Sequence, residues 1–423
     1  MFAPPDPADA ARAFIALAGA GVWRARLAEI ARAAAAGRHH GPALRQRYVI
    51  ERTLDRLARG AGDMSVRGAG PVAGGAAGQI AALAAAAVAA ARALSATGQA
   101  RFAVALAAAL SGEATLVPLL HLMRTATRHR DRGFEVRFAG LEDAEAFDLL
   151  LTRDGSAAEV VCDVVSAETG RPLPRAAWQR LADRIDPDLQ TWLAAHPGRY
   201  VLKMTLPEGL PEGLPEGLPE GLPEGSADPA AGAAGLAALH ARIRDMLARS
   251  ARQEQDAAVV LRLDPLLLAG AQVGGIGMQA LLRDEFGPEA HLAAIAGANG
   301  LFVLAARAGR EDEVAAAIRK RMTALAPTRL SGTRPGILAM FVEDTDRTEW
   351  RGLRERLELE GETRQFLTQP DARPVVAVTC ASRLELFGLA PPDAAEGGEL
   401  RFRNPAHPAA RLAALAPAVL SSV

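Results

Sequence analysis

Between Gly133 and Val165 three strand signals arrive in quick succession, and no all-helical packing accommodates them. Phe134 to Phe138 alternates apolar and polar residues; Phe147 to Leu151 and Ala158 to Val165 are near-continuous apolar runs. Arg153-Asp154-Gly155 separates the last two, and an Asp-Gly pair between apolar runs is a strong short-range hairpin signal. Upstream, Leu116, Leu119, Leu120 and Met123 repeat at helical spacing, and Ser111 offers a cap. Downstream, a polar loop enters a helix from about Arg175 to Ile185, which residues 187 to 195 continue or follow with a second helix, and Tyr200 to Leu206 reads as a strand. The order from 110 to 206 is therefore helix, three strands, helix, strand, which calls for a mixed sheet with its faces covered by helices.

The flanks read differently. Residues 1 to 100 form an Ala-rich helical region, with apolar positions three and four apart in Ala11 to Ala36 and Gln46 to Arg59. The Gly-rich stretch at 68 to 78 breaks that pattern as a loop; it lacks the Lys-Ser/Thr ending of a phosphate-binding P-loop. Residues 101 to 206 hold the core just described. Five copies of Leu-Pro-Glu-Gly then run from Leu206 to Gly225, and Pro and Gly in every copy prevent a helix or a strand ladder. Residues 207 to 231 are thus expected to be a linker or surface loop. A C-terminal α/β part follows at 232 to 423, with strands expected at Ala257–Leu263, Gly300–Ala306, Gly336–Glu343 and Pro374–Ala381. Its helices are expected at 232 to 252, 310 to 326 and 347 to 359.

Charge and cysteine content narrow the function classes. The net charge of -1 gives no global attraction to nucleic acid, so any such contact needs a local patch. Lys203 and Lys320 are the only lysines, which limits any chemistry that needs one. Cys162 and Cys380 are distant and lie in apolar runs, neither a disulfide framework nor a metal signature. The N-terminus lacks the basic-then-apolar pattern of a signal peptide. The apolar stretch Ile80 to Ala91 is too short to span a bilayer. A cytoplasmic location with no membrane partner is the expectation.

The element order, with Asp148 on the second strand and the triplet Val161-Cys162-Asp163 on the third, resembles the PD-(D/E)XK nucleases. That family pairs an Asp with an acidic-x-Lys triplet on the next hairpin strand, around a divalent metal. Carboxylates hold Mg²⁺, which activates a water and neutralises charge on the scissile phosphate. The resemblance covers about a quarter of the chain, and the signature is partly erased: Val161 stands where the family carries an acid, Asp163 where it carries Lys. On a strand Glu159, Val161 and Asp163 share a face, so Glu159 or Asp163 could replace the lost ligand, and Lys203 could supply the cation. Related nucleases carry Gln on the following helix, as at Gln179, with Tyr four residues later, where this chain has Asp183. If the cation site is dead, Asp163 is expected to pair with Arg171 or Arg175, or the face of its strand to open to solvent.

The resemblance implies either a degenerate, non-cleaving nuclease-like fold with no cofactor, or a Mg²⁺-dependent DNA endonuclease using Asp148, Glu159, Asp163 and Lys203, with Asp148 and Asp163 as metal ligands. A structural protein that only reuses the fold is the third reading. Candidate nucleic-acid contacts are Arg124, Arg128, Arg130 and Arg132 at a basic helix end, with Arg171 and Arg175. Cations at a helix C-terminus also simply complement its dipole. DNA, a protein partner and a second copy of the chain are the partner classes left open.

Overall fold

The computed structural model describes residues 6–60, 75–209, 229–266, 282, 285–286, 291–297, 299–383 and 399–420. Most of the Gly-rich stretch and of the Leu-Pro-Glu-Gly repeat lies outside them. The chain is mixed α/β and forms two compact units. One comprises Met1–Glu29, Arg47–Gly170 and Val314–Val423; the other comprises Ile30–Gln46 and Arg171–Glu313.

The chain opens with helices α1 (Pro7–Ala18), α2 (Ala20–Ala35), α3 (His40–Arg47) and α4 (Val49–Ala58), then α5 (Ala76–Ala93), α6 (Ala96–Ala109) and α7 (Val117–Asp131). Helix α7 begins at Val117 and not after Ser111, whose hydroxyl instead donates to the Ala108 carbonyl. Strand β1 (Glu135–Arg137), a short helix α8 (Ala139–Asp143), β2 (Leu149–Arg153) and β3 (Ser156–Ser166) follow. The Asp154-Gly155 turn has both residues at positive φ, which Asp tolerates and Gly favours. After the second unit come α11 (Val314–Arg329), β9 (Gly336–Glu343), α12 (Arg347–Glu355), α13 (Glu358–Leu367), β10 (Val375–Ser382), β11 (Leu400–Arg403) and a C-terminal turn α14 (Ala416–Val419).

These strands make one six-stranded sheet in the order β1-β2-β3-β9-β10-β11. β1, β2 and β3 are antiparallel neighbours, β3, β9 and β10 run parallel, and β11 closes the edge antiparallel. Strand β9, GILAMFVE, is buried along its whole length, as a parallel strand covered on both faces should be. Its odd residues Ile337, Ala339 and Phe341 pack with Phe14, Leu54, Ile80, Phe102 and Leu120 of the N-terminal helices. Its even residues Leu338, Met340 and Val342 pack with Ile318 and Met322 of α11, Trp350 of α12 and Phe366 of α13. The unit is therefore a three-layer α/β/α sandwich. Helix α5 is the one helix among the described residues long and apolar enough to cross a membrane by length and composition. Ile80, Ala84, Ala87 and Ala91 of that helix are buried within this core.

The second unit holds α9 (Arg175–Ala195), β4 (Gly198–Leu206), α10 (Pro229–Ala248), β5 (Gln253–Gln255), β6 (Val260–Pro265), β7 (His291–Gly297) and β8 (Gly300–Ala308). Its five strands order as β5-β6-β4-β8-β7, with β4 parallel to β8 and the other pairs antiparallel. Leu181, Ile185, Leu189 and Leu193 of α9 and Ile243 and Met246 of α10 pack on the sheet with Leu202, Met204 and Phe302.

The helix and strand expected to complete the 110–206 core thus belong to the second unit. The place beside β3 is taken by β9, and the helix preceding β9 is α11. The two strands differ in what they bury: β9 is a continuous apolar run buried at every position between two helical layers, whereas β4, also central in its own sheet, leaves Arg199 exposed and Lys203 and Thr205 half-exposed.

Candidate functional site

Asp148, Glu159 and Asp163 share the face of the hairpin that looks toward α11, and each carboxylate is taken up by an arginine from α11 or the loop after it. Asp163, opposite Met340 in the register, accepts from Arg321 Nε at 2.7 Å and Nη2 at 2.9 Å. Asp148, at the mouth of β2, accepts from Arg329 Nη2 at 3.1 Å on both oxygens. It also accepts the Cys162 backbone N–H at 2.7 Å, so its side chain extends the β2–β3 ladder by one bond. Glu159 is fully buried and accepts the Ser331 N–H at 2.9 Å, the Ser331 hydroxyl at 2.5 Å and Arg334 Nη1 at 3.2 Å.

Burial pushes the Asp148 carboxyl above the ordinary aspartate range, and the Arg329 guanidinium and the Cys162 N–H only partly offset it. The Cys162 thiol is driven well above its usual value, first by burial and then by the nearby Asp148 charge. Both influences favour the thiol over the thiolate.

This arrangement does not fit Mg²⁺. A magnesium site needs carboxylate oxygens turned to one point, and here the oxygens of all three acids already accept hydrogen bonds from N–H or O–H donors. Among the described residues no group of three His, Cys, Asp or Glu side chains is placed to hold a metal ion. The cation expected at Lys203 is in the second unit, where its ammonium lies 3.6 Å from Asp264 and 5.4 Å from the centre of the Phe286 ring. Asp163 pairs with neither Arg171 nor Arg175. Arg171 is buried with Asp312 3.8 Å away, and Arg175 is the first residue of α9.

The basic end of α7 is likewise largely turned inward. Arg124, Arg128 and Arg132, one helical turn apart each, surround the buried Glu399 at 3.0, 3.9 and 3.5 Å. Burial pushes the Glu399 carboxyl up, but the three guanidiniums more than offset this and hold it at about 2. Arg130 alone of the four is exposed, with its guanidinium 5.3 Å from the Phe138 ring centre.

Gln179 and Asp183 both have structural work in the second unit. Asp183 accepts the backbone N–H groups of His39 at 2.6 Å and His40 at 2.9 Å, capping α3 from across the fold. Gln179 Oε1 lies 3.3 Å from His40 Nδ1.

Of the partners, Arg329 and Arg334 flank a turn marked in the sequence by Gly332 and Pro335. Nothing local marks Arg321, which sits two four-residue steps before Arg329 on α11. Glu399 carried no signal, because its role depends on a contact 275 residues away. Comparisons with protein-family models, curated proteins and solved structures return no match.

Proposed function

We propose that the first unit is a PD-(D/E)XK-like core interrupted by the second unit, and that it binds nucleic acid without cleaving it. Element order supports the kinship: α7, β1, β2 and β3 are followed, beyond residues 171–313, by α11 and the strand β9 beside β3. Apart from the short α8 between β1 and β2, this is the α-β-β-β-α-β sequence of elements with an insertion before its second long helix. The three hairpin acids then fall on the face where that family gathers its metal ligands.

The observation that carries the non-cleaving part is the pairing of Asp148, Glu159 and Asp163 with Arg329, Arg334 and Arg321. Guanidiniums stand where a cation would otherwise be held. Phosphate contact falls to the exposed Arg130 and Arg137 and the half-buried Arg153 around β1 and β2, the last two beside Asp143 and Asp154, with Arg334 half-exposed beyond the ion-paired row. The free thiols of Cys162 and Cys380 suit a reducing, cytoplasmic setting.

The test is to incubate the purified chain with duplex and single-stranded DNA, with Mg²⁺ or Mn²⁺, and to measure binding across a salt series. The expected result is intact DNA and binding that weakens steeply with salt. Cleavage that disappears in Asp148→Ala would establish an active endonuclease instead. Absence of binding at low salt would leave the fold as a scaffold for a protein partner or a second copy.

A further inference from the structure

The carboxyl ends of the three parallel strands β3, β9 and β10 converge on a buried polar cluster that the nuclease-like reading does not use. Glu343 ends β9, and its carboxylate is bonded by Arg383, just past β10. Asp344 follows at φ 59°, a left-handed backbone that a non-glycine residue adopts only when its surroundings enforce it. Its carboxylate accepts from Arg47 at 3.1 and 3.2 Å and from the Ser166 hydroxyl, at the end of β3, at 2.7 Å. Thr115, before α7, lies 3.4 Å from Glu343.

Glu51 of α4 belongs to this cluster and differs from every other member. It is 1% exposed, and neither carboxylate oxygen has a hydrogen-bond partner. The strongest cationic influences on it are Arg26 and Arg383, whose terminal nitrogens are held by other acceptors, while the buried Arg26 Nε–H meets none. Arg26 donates to the Gly112 carbonyl at 2.5 Å, the Ala114 carbonyl at 2.6 Å and Glu29 at 3.0 Å, and lies 4.7 Å from the Tyr48 ring centre. Arg383 serves Glu343 and the Arg47 carbonyl. Glu343 also acts on it electrostatically, and burial pushes that carboxyl up as well. The two other helices packed on α4 carry Asp9 and Arg12, which pair with each other, and Arg92.

We propose that Glu51 is a proton-operated latch: protonated, it lets α4 stay seated on the strand ends, and ionised, it loosens α4 from them. A buried carboxylate without a donor is tolerable only while neutral. Once ionised, it gains a donor only by drawing Arg26 or Arg383 from the acceptors each already holds, and moving α4 is the competing relief. Burial, the largest influence, with Glu343 adding to it, pushes this carboxyl up to about 7 against the pull of its own backbone N–H and of Arg26 and Arg383, so the latch works across neutral pH.

The experiment is amide hydrogen exchange of the full chain at about pH 5.5 and about pH 8.5, corrected for intrinsic exchange. Between those values the opening constant of α4 should rise by roughly tenfold to thirtyfold, and in Glu51→Gln the rise should vanish. An unchanged pH response in Glu51→Gln overturns the proposal. Should that variant fail to fold, carboxyl-carbon NMR of the wild-type chain decides: a Glu51 midpoint near neutrality supports the latch, and one in the ordinary glutamate range overturns it.

Discussion

The guanidinium of Arg321 meets the carboxylate of Asp163 with two nitrogens, across the layer boundary between α11 and β3. The partners are unequally buried: the Asp163 side chain is 11% exposed and that of Arg321 37%. Removing the arginine strands a largely buried charge, whereas removing the aspartate frees a guanidinium to reach water. Arg321→Ala should therefore lower stability by about 2 kcal/mol and Asp163→Ala by about 1 kcal/mol. Urea denaturation of both variants checks the order. A stabilised Asp163→Ala would instead mark a cluster of acids in mutual repulsion, as expected of a vacant catalytic centre.

Glu159 is the most completely enclosed of the three acids. Its carboxylate organises the turn after α11 by accepting from Ser331 and Arg334, while its backbone N–H donates to the Pro335 carbonyl at 2.9 Å. Glu159→Ala removes the acceptor these donors share and empties a buried position, while water can reach the exposed Ser331 and Arg334, so the cost should be about 2 kcal/mol. Thermal unfolding measures the loss. Faster amide exchange at Ser331 and Thr333 should accompany it if the carboxylate holds the turn as described.

The local part of this fold was legible: β3 and β9 fall within two residues of their expected bounds, because period, apolar content and the Asp154-Gly155 turn are all written in adjacent residues. Strand membership was not. Nothing local in Tyr200–Leu206 says that it joins β8 while β3 waits for a strand 170 residues further along. The candidate acids were readable as a strand face; their arginines were not assigned to them, since the partners of Asp148 and Asp163 lie 181 and 158 residues away. Glu51 was hidden for a different reason. In VIERTLDRLA it looks like an ordinary solvated helix residue between Ile50 and Leu54, and only the packed fold shows both its oxygens shut in.

Two histidines on α7 make the chain sensitive to mild acid. His121 lies 2.9 Å from the Ala339 carbonyl through Nε2, and His129 packs edge-on against Phe134. Burial drives both down to about 4, with neighbouring arginines adding to it. With the unfolded value near 6.5, the unfolded chain binds more protons in between, so stability is present above 6.5 and lost as pH falls toward 4. Each histidine should account for about 3 kcal/mol of that loss. His129→Phe should flatten the stability profile over this window, and an unaltered slope would contradict the assignment.

Glu399 governs a lower window. Held at about 2 by Arg124, Arg128 and Arg132 despite its burial, it contributes stability above the ordinary glutamate range that is lost as pH falls from about 4.5 toward 2. Glu399→Gln should lose about 3 kcal/mol at neutral pH and erase that acid limb. Paired with Arg128→Ala, it should lose less than the sum of the two, because one fewer guanidinium is left uncompensated.

The larger segment of the second unit, residues 171–313, should be removable. It leaves the first at Gly170 and returns at Val314, and the turn Ala167–Gly170 packs directly on α11, so the two exits on the first unit are close together. Within the second unit, Arg171 and Asp312 approach to 3.8 Å and draw its own two ends together. An insertion whose ends nearly meet constrains its host little. Replacing residues 171–313 with a short Gly-Ser linker should give a soluble protein that keeps the six-stranded sheet, read by cooperative unfolding and by protected β9 and β10 amides. The segment at 30–46 should suffer selectively, because Asp183, which caps α3 through the His39 and His40 N–H groups, goes with the excised residues. Collapse of β9 protection along with α3 would show that the two units fold as one and that the insertion reading is mistaken.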